Sequence, residues 1–122
     1  MFTDSVRPVI DAGLVESVET DTALTRDVHL KMTPGHTPGH LGVWVGHRCV
    51  ITGDVLHHPI RCRHSEWRAR GDADPDAARA TRRALLAAAA TKNALVLGTH
   101  FTGTAAGRIL STDQGYCVAP QP

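Results

Sequence analysis

The feature that most constrains this chain is a doubled Pro-Gly-His unit that directly follows a strand-like segment. Residues Val28–Met32 alternate apolar and polar side chains, the pattern of a strand with one buried face. Residues 33–40 then read Thr-Pro-Gly-His-Thr-Pro-Gly-His. Because a Pro-Gly pair fits the interior of neither a strand nor a helix, His36 and His40 are predicted to lie on a tight loop at the strand's end. Loops at strand ends are where functional residues collect.

Two more residues with metal-binding chemistry are predicted to follow strands. The apolar runs at residues 41–45 and 49–52 read as a hairpin around Gly-His-Arg, and Asp54 comes just after the second run. A short apolar strand at residues 94–97 leads into Gly-Thr-His, which ends at His100. Since the ends of neighbouring strands meet at one edge of a sheet, His36, Asp54 and His100 are predicted to form one site. Two imidazoles and a carboxylate suit zinc, and manganese or iron if the coordination is more open.

The sequence predicts a helix over about residues 75–90. Asp74 is placed as its N-cap and Pro75 at its first position, ahead of a stretch rich in Ala, Arg and Leu. The arginines of this helix are interpreted as a solvated stripe opposite its leucines; they are Arg79, Arg82 and Arg83. Two weaker strands are predicted near residues 108–110 and 115–118.

Composition narrows the class of partner. The 13 Lys and Arg nearly balance the 12 Asp and Glu, so neither nucleic acid nor a membrane surface is expected as a partner. The balanced charge favours a small-molecule substrate or a protein partner. Eight histidines, six of them within residues 36–64, point to metal or acid/base chemistry. The three cysteines lack paired short spacings, which favours reduced thiols. Because the first residues contain no long apolar run, a soluble cytoplasmic protein is expected.

In order and approximate spacing, residues 33–40, 52–54 and 98–100 resemble the third, fourth and fifth motifs of the metallo-beta-lactamase superfamily. Asp-Ala-Asp at 72–74 with its helix, and the closing Gly-Tyr at 115–116, look like the lactonase-like and organophosphate-hydrolase-like branch. The resemblance implies that His36 ligates one metal, that Asp54 bridges two and serves catalysis, and that His100 ligates the second. It also implies two zinc ions and hydrolysis of a lactone, ester or phosphoester by a metal-bound hydroxide.

The chain departs from that pattern in one respect. The His-x-His-x-Asp-His segment that the resemblance places upstream does not occur in these 122 residues, so four implied ligands are missing. Residues 1–122 are therefore interpreted as the C-terminal part of the domain: an α/β half of a four-layer αββα sandwich, with a mostly antiparallel sheet and one long helix. A truncated or mis-started gene product is the simplest interpretation, with at most one weakly bound ion and weak or no activity. A homodimer, a non-catalytic half-domain that pairs with a partner chain, and a gene remnant stay open.

The other histidines have weaker assignments. His40 is expected to support the ligand loop by hydrogen bonding, with direct ligation as the alternative. His57 and His58 are expected close to the metals, where they contact substrate or assist proton transfer, although exposed solvated histidines explain them almost equally well. A separate zinc site is the least favoured alternative; it would use His57, His58, Cys62 and His64. Taken singly, each of the three principal residues is explained as a turn or loop residue, and only their joint occurrence favours ligands.

Overall fold

The computed structural model describes residues 2–18, 21–103 and 105–120. In these residues seven strands form one sheet, and their order in space is their order along the chain. Neighbours pair antiparallel except for β4 and β5, which run parallel. The predicted α/β fold, with a mostly antiparallel sheet and one long helix, is confirmed. The strands are β1 Thr22–Ala23, β2 Val28–Met32, β3 Leu41–Val45, β4 Cys49–Ile51, β5 Leu95–Leu97, β6 Ala106–Thr112 and β7 Gly115–Pro120.

The long helix, α3, spans Pro75–Thr91 and connects the two parallel strands. It begins where predicted because the Asp74 side chain accepts hydrogen bonds from the backbone amides of Asp76 and Ala77, both at 3.0 Å. Two shorter helices are α1, Arg7–Asp11, and α2, Ile60–Arg63. Phe2–Val6 forms a π-helical turn and Gly53–Val55 a 3₁₀ turn.

The hydrophobic core lies between α3 and one face of the sheet. Val50, Val96 and Ile109 point to this face from three strands and are almost fully buried. They pack against Leu86 and Ala89 of the helix, which are also buried. Because alternate residues of a strand point to opposite faces, their strand neighbours lie on the other side of the sheet. Parallel strands require a crossover connection of this kind, and here the crossover helix adds Leu85, Leu86 and Ala89 to the core.

The interpretation of the helix arginines as a solvated stripe is wrong at Arg82. The side chain is fully buried, and its Nε donates to the carbonyl oxygen of Val55 at 3.0 Å. Its Nη1 donates to the carbonyl oxygens of Ser65 and Trp67, at 2.7 and 3.1 Å. The segment between β4 and α3 folds back over this position, and its buried carbonyls need donors. A guanidinium with five donors meets that need.

The N-terminal segment contrasts with this core. All residues of Phe2–Val6 and of α1 are exposed, their apolar members included. Within residues 2–18, 21–103 and 105–120, the structure contains no helix with the length and apolar character that a membrane span needs.

The three cysteines are free thiols, with Cys62 buried in the core.

Candidate metal centre

The three residues that the sequence placed in one site lie together at one edge of the sheet. Asp54 is in the 3₁₀ turn after β4, His36 is in the loop after β2, and His100 follows β5. Oδ1 of Asp54 is 2.6 Å from Nε2 of His100, and Oδ2 is 3.7 Å from Nε2 of His36. The two carboxylate oxygens therefore face two different imidazoles.

Glycine fixes the position of the His36 loop. Gly35 has φ +131°, and a Cβ at this position would lie 2.2 Å from the backbone nitrogen of Ala78 in α3. Only glycine allows so close an approach of the loop to the helix. The amide of Ala73 donates to the carbonyl of His36 at 3.1 Å, and the amide of Asp74 donates to that of Gly35 at 2.9 Å. These two hydrogen bonds hold the loop against the residues that lead into α3.

His40 holds the backbone at Asp54. The Asp54 amide donates to Nε2 of His40 at 3.0 Å, and Nδ1 of His40 is 2.7 Å from Oγ1 of Thr33. Because an amide only donates, Nε2 accepts, so the ring proton resides on Nδ1 and faces the threonine hydroxyl. Burial lowers the pKa of His40, in keeping with a neutral ring. Both ring nitrogens are therefore engaged, one by the Thr33 hydroxyl and the other by the backbone at Asp54.

The two adjacent histidines after Asp54 have different surroundings. The ring of His57 stacks on that of His100 with centroids 5.0 Å apart, and its Nε2 is 3.5 Å from Oδ1 of Asp54. Partial burial lowers the pKa of His57. His58 is exposed instead, and its Nδ1 accepts from the amide of Ile60 at 3.1 Å, at the start of α2. The structure therefore brings His57 into the site and uses His58 in a surface turn.

Among the described residues, one set of side chains is close enough to share an ion. The ligand atoms of His36, Asp54 and His57 lie within 4.8 Å of one another. The separate zinc site considered from the sequence does not form within residues 2–18, 21–103 and 105–120, because Cys62 is buried in the core and His64 pairs with Glu66.

The charge of Asp54 suits a cation. Partial burial acts to raise the pKa of this carboxyl, but the hydrogen bond from His100 and the nearby imidazoles outweigh it, so the pKa lies below its ordinary value. The carboxylate is ionised at neutral pH. An ionised carboxylate between two imidazoles is a donor set that zinc favours, and the residues present therefore fit a divalent metal.

Sequence reasoning did not identify the contact that Asp72 makes with the site. Its side chain is only 1% exposed, and Oδ1 lies 3.3 Å from Nδ1 of His36. Histidine ligands commonly donate their second ring N–H to a carboxylate in this way. The sequence predicted Asp74 as the helix cap, but only the structure shows that Asp72, two residues earlier, turns inward to His36.

Comparisons with known proteins identify the family and the fold of the chain. The family model described as the metallo-beta-lactamase superfamily matches residues 5–100. The chain belongs to the metallo-beta-lactamase superfamily. No match was found among curated protein sequences.

Three solved structures show the same fold. AidC, a dizinc quorum-quenching lactonase, superimposes with a TM-score of 0.82 at 22% identity, over 97% of this chain and 42% of that one. The hydrolase AbOPH of the beta-lactamase superfamily gives 0.84 at 22% identity, with the same coverage of 97% and 42%. A probable metal-dependent hydrolase from Staphylococcus aureus gives 0.72 at 13% identity, over 91% and 42%. The chain thus spans 42% of the length of each of these structures.

Proposed function

We propose that this chain supplies His36, Asp54 and His100 to a two-metal hydrolase centre that acts on a lactone, ester or phosphoester. The observation that carries the proposal is the split contact of one carboxylate, with Oδ2 towards His36 and Oδ1 towards His100. A carboxylate whose two oxygens serve two imidazoles is arranged to join two ions. Zinc is the metal this donor set favours, with manganese or iron as alternatives.

The chain's own residues have separable tasks in this proposal. Metal ions bound at such a site lower the pKa of water and polarise a carbonyl or phosphoryl oxygen. Asp54 provides the negative charge between the imidazoles, and His40 fixes it through the Asp54 amide. His57, stacked on His100, reaches the same space and is placed to touch the substrate. The lactonase and hydrolase neighbours support a small-molecule substrate of this class.

Completion of the site is a further part of the proposal. Three ligands are too few for two ions. In addition, none of the described residues covers one apolar face of the sheet, where Val45 and Ile51 are exposed on adjacent strands. We propose that polypeptide which covers this face, either a complementing half-domain or a second copy of the chain, brings the remaining ligands. Without that cover, the chain acts as a weak one-ion site or as a non-catalytic half-domain.

Zinc binding with matched aspartate variants tests the proposal. Zinc content after dialysis is measured for the wild-type chain, Asp54→Ala and Asp113→Ala, alongside hydrolysis of an acyl lactone, an aryl ester and a phosphotriester. Asp113 is exposed in the turn between β6 and β7 and controls for loss of one negative charge. We expect at most one ion per chain, lost in Asp54→Ala and kept in Asp113→Ala. Equal zinc content in all three proteins would refute the proposed site.

A further inference from the structure

Behind the metal centre lies a buried polar cluster formed by Asp72, Arg61 and Arg82. Oδ2 of Asp72 is 3.8 Å from Nη2 of each arginine and accepts from the amide of Ala69 at 3.1 Å. The side chains of Asp72 and Arg82 are each 1% exposed and that of Arg61 is 8% exposed. Burying three ionic groups costs free energy unless they are paired and hydrogen-bonded, so their arrangement here is closely constrained.

The cluster contacts two histidines of the site at their Nδ1 atoms, with groups of opposite hydrogen-bonding character. Oδ1 of Asp72 lies 3.3 Å from Nδ1 of His36. Nη1 of Arg61 lies 3.3 Å from Nδ1 of His57. An ionised carboxylate only accepts hydrogen bonds, whereas a guanidinium only donates them.

These contacts determine where each neutral ring carries its proton. His36 must present Nδ1–H to Asp72, which leaves a lone pair on Nε2, the atom that faces Asp54. His57 must present a lone pair at Nδ1 to Arg61, which leaves the proton on Nε2, 3.5 Å from Asp54. The two rings therefore offer opposite groups to the same space.

We propose that Asp72 and Arg61 hold His36 and His57 as opposite tautomers, so that His36 is a metal ligand and His57 is an N–H donor to the substrate. The assignment of a substrate rests on the function proposed above, whereas the tautomers follow from the cluster alone. Proximity by itself would make His57 a third ligand, since its ligand atom lies within 4.8 Å of those of His36 and Asp54. The Arg61 contact removes that option.

The Nε2–H of His57 then has a defined use. A carbonyl or phosphoryl oxygen bound beside Asp54 accepts a hydrogen bond from it, as developing negative charge on such an oxygen requires. Arg61 and Asp72 do not reach the substrate in this account. They are positioning residues, which act through His57 and His36 respectively.

The tautomers are directly measurable in metal-free protein. Two-bond ¹H–¹⁵N spectra of histidine-labelled chain at pH 8, above the ordinary pKa of histidine, distinguish Nδ1–H from Nε2–H rings. We expect Nε2–H for His57 and Nδ1–H for His36, with exposed His47 as the internal reference for an averaged ring. Arg61→Lys, which keeps a charged donor, should preserve the His57 pattern. An Nδ1–H or averaged His57 ring in the wild-type chain would overturn the proposal.

Zinc affinity provides a second test. If Arg61 had only a structural role, its removal would not raise the zinc affinity. Arg61→Met removes the donor and frees His57 to ligate, so zinc affinity should rise about tenfold, at the low end of the effects of outer partners on metal sites. The double variant Arg61→Met/His57→Ala separates ligation from simple loss of positive charge. If ligation is the cause, the gain disappears in the double variant, and a gain that persists there contradicts the proposal.

Failure of the two proposals can be told apart. If Arg61→Met does not fold, the spectrum of the wild-type chain still decides the tautomers. If Asp54→Ala retains zinc, the proposed metal centre fails, while the tautomer assignment is decided separately by the spectrum of the metal-free protein.

Asp72→Asn should lower zinc affinity by about 10–100-fold, because an amide no longer fixes the proton of His36 on Nδ1.

Discussion

The two faces of the sheet have similar side chains but different cover. On the face beneath α3, Val50 and Val96 are 0% exposed and Ile109 is 2% exposed. On the opposite face, Ile51 is 39% exposed and Leu110 is 48% exposed, although each is the immediate strand neighbour of a buried residue. The residues compared on both faces are aliphatic. The difference in their exposure therefore arises from what covers each face.

Strands β3, β4 and β5 are apolar at nearly every position, reading LGVWV, CVI and LVL. Near-continuous apolar runs are typical of strands buried on both faces, whereas strands with one solvated face alternate. The sequence is thus composed for two covering layers, while residues 2–18, 21–103 and 105–120 supply one. The proposed metal centre would show the same division, because these residues bring together three of the ligands proposed for a two-ion site.

Lysine substitutions at two consecutive positions of β4 should show the largest difference between the two faces of the sheet. Val50→Lys places a charge in the fully buried core beneath α3 and should prevent folding, since an unpaired buried charge exceeds what a small domain tolerates. Ile51→Lys places the same charge on the open face and should leave the fold intact while it increases the fraction of monomer. Circular dichroism and sedimentation check both, and loss of structure in Ile51→Lys would mean that the open face is already buried.

Leucine truncation measures the same contrast with a smaller change. Leu86→Ala in the core should lower the free energy of unfolding by about 2–5 kcal/mol, the sum of lost burial and a residual cavity. Leu110→Ala on the open face should cost roughly 0.5 kcal/mol or less. Urea denaturation followed by tryptophan fluorescence gives both values, and similar costs at the two positions would contradict the assignment of faces.

At the metal centre, Asp54→Ala should abolish zinc binding, whereas His40→Ala should reduce it by about 10–100-fold. The carboxylate contacts both principal imidazoles, but His40 acts only through the Asp54 amide. Isothermal titration with zinc separates the two. Equal losses would place His40 among the ligands.

The pH dependence of stability should be the smallest effect. Burial lowers the pKa of His40 below its ordinary value of 6.5, so the unfolded chain binds more protons than the folded one in this range. The contribution of neutral His40 is fully present above pH 6.5 and is lost as the pH falls towards its lowered folded pKa. His40→Gln should flatten the decline between pH 7 and pH 5 in thermal melts. An unchanged slope would exclude His40 as the cause.

Local pattern predicted much of the architecture. The alternation of Val28–Met32 and the cap at Asp74 gave β2 and α3 close to their observed bounds. The convergence of His36, Asp54 and His100 followed from strand ends that meet at one edge. These features depend on short-range rules of periodicity, turn chemistry and capping.

What the sequence did not predict depends on contacts between distant segments. Arg82 has the same local context as its exposed neighbour Arg83, and only the returning loop with the Ser65 and Trp67 carbonyls buries it. His57 and His58 are likewise adjacent and identical, yet the turn into α2 directs one towards Asp54 and the other to the surface. No local pattern distinguishes such pairs.

The central claim, that the open face of the sheet requires a second layer, is tested most directly by the mass of the chain in solution. Each 100 Å² of apolar surface covered by association gains about 2.5 kcal/mol before the entropic cost of binding, so a face built on the apolar strands β3, β4 and β5 should not remain in water. Light scattering after size-exclusion chromatography at micromolar concentration should give a dimer or larger species. A folded, soluble species at the monomer mass of 13.1 kDa would contradict the account.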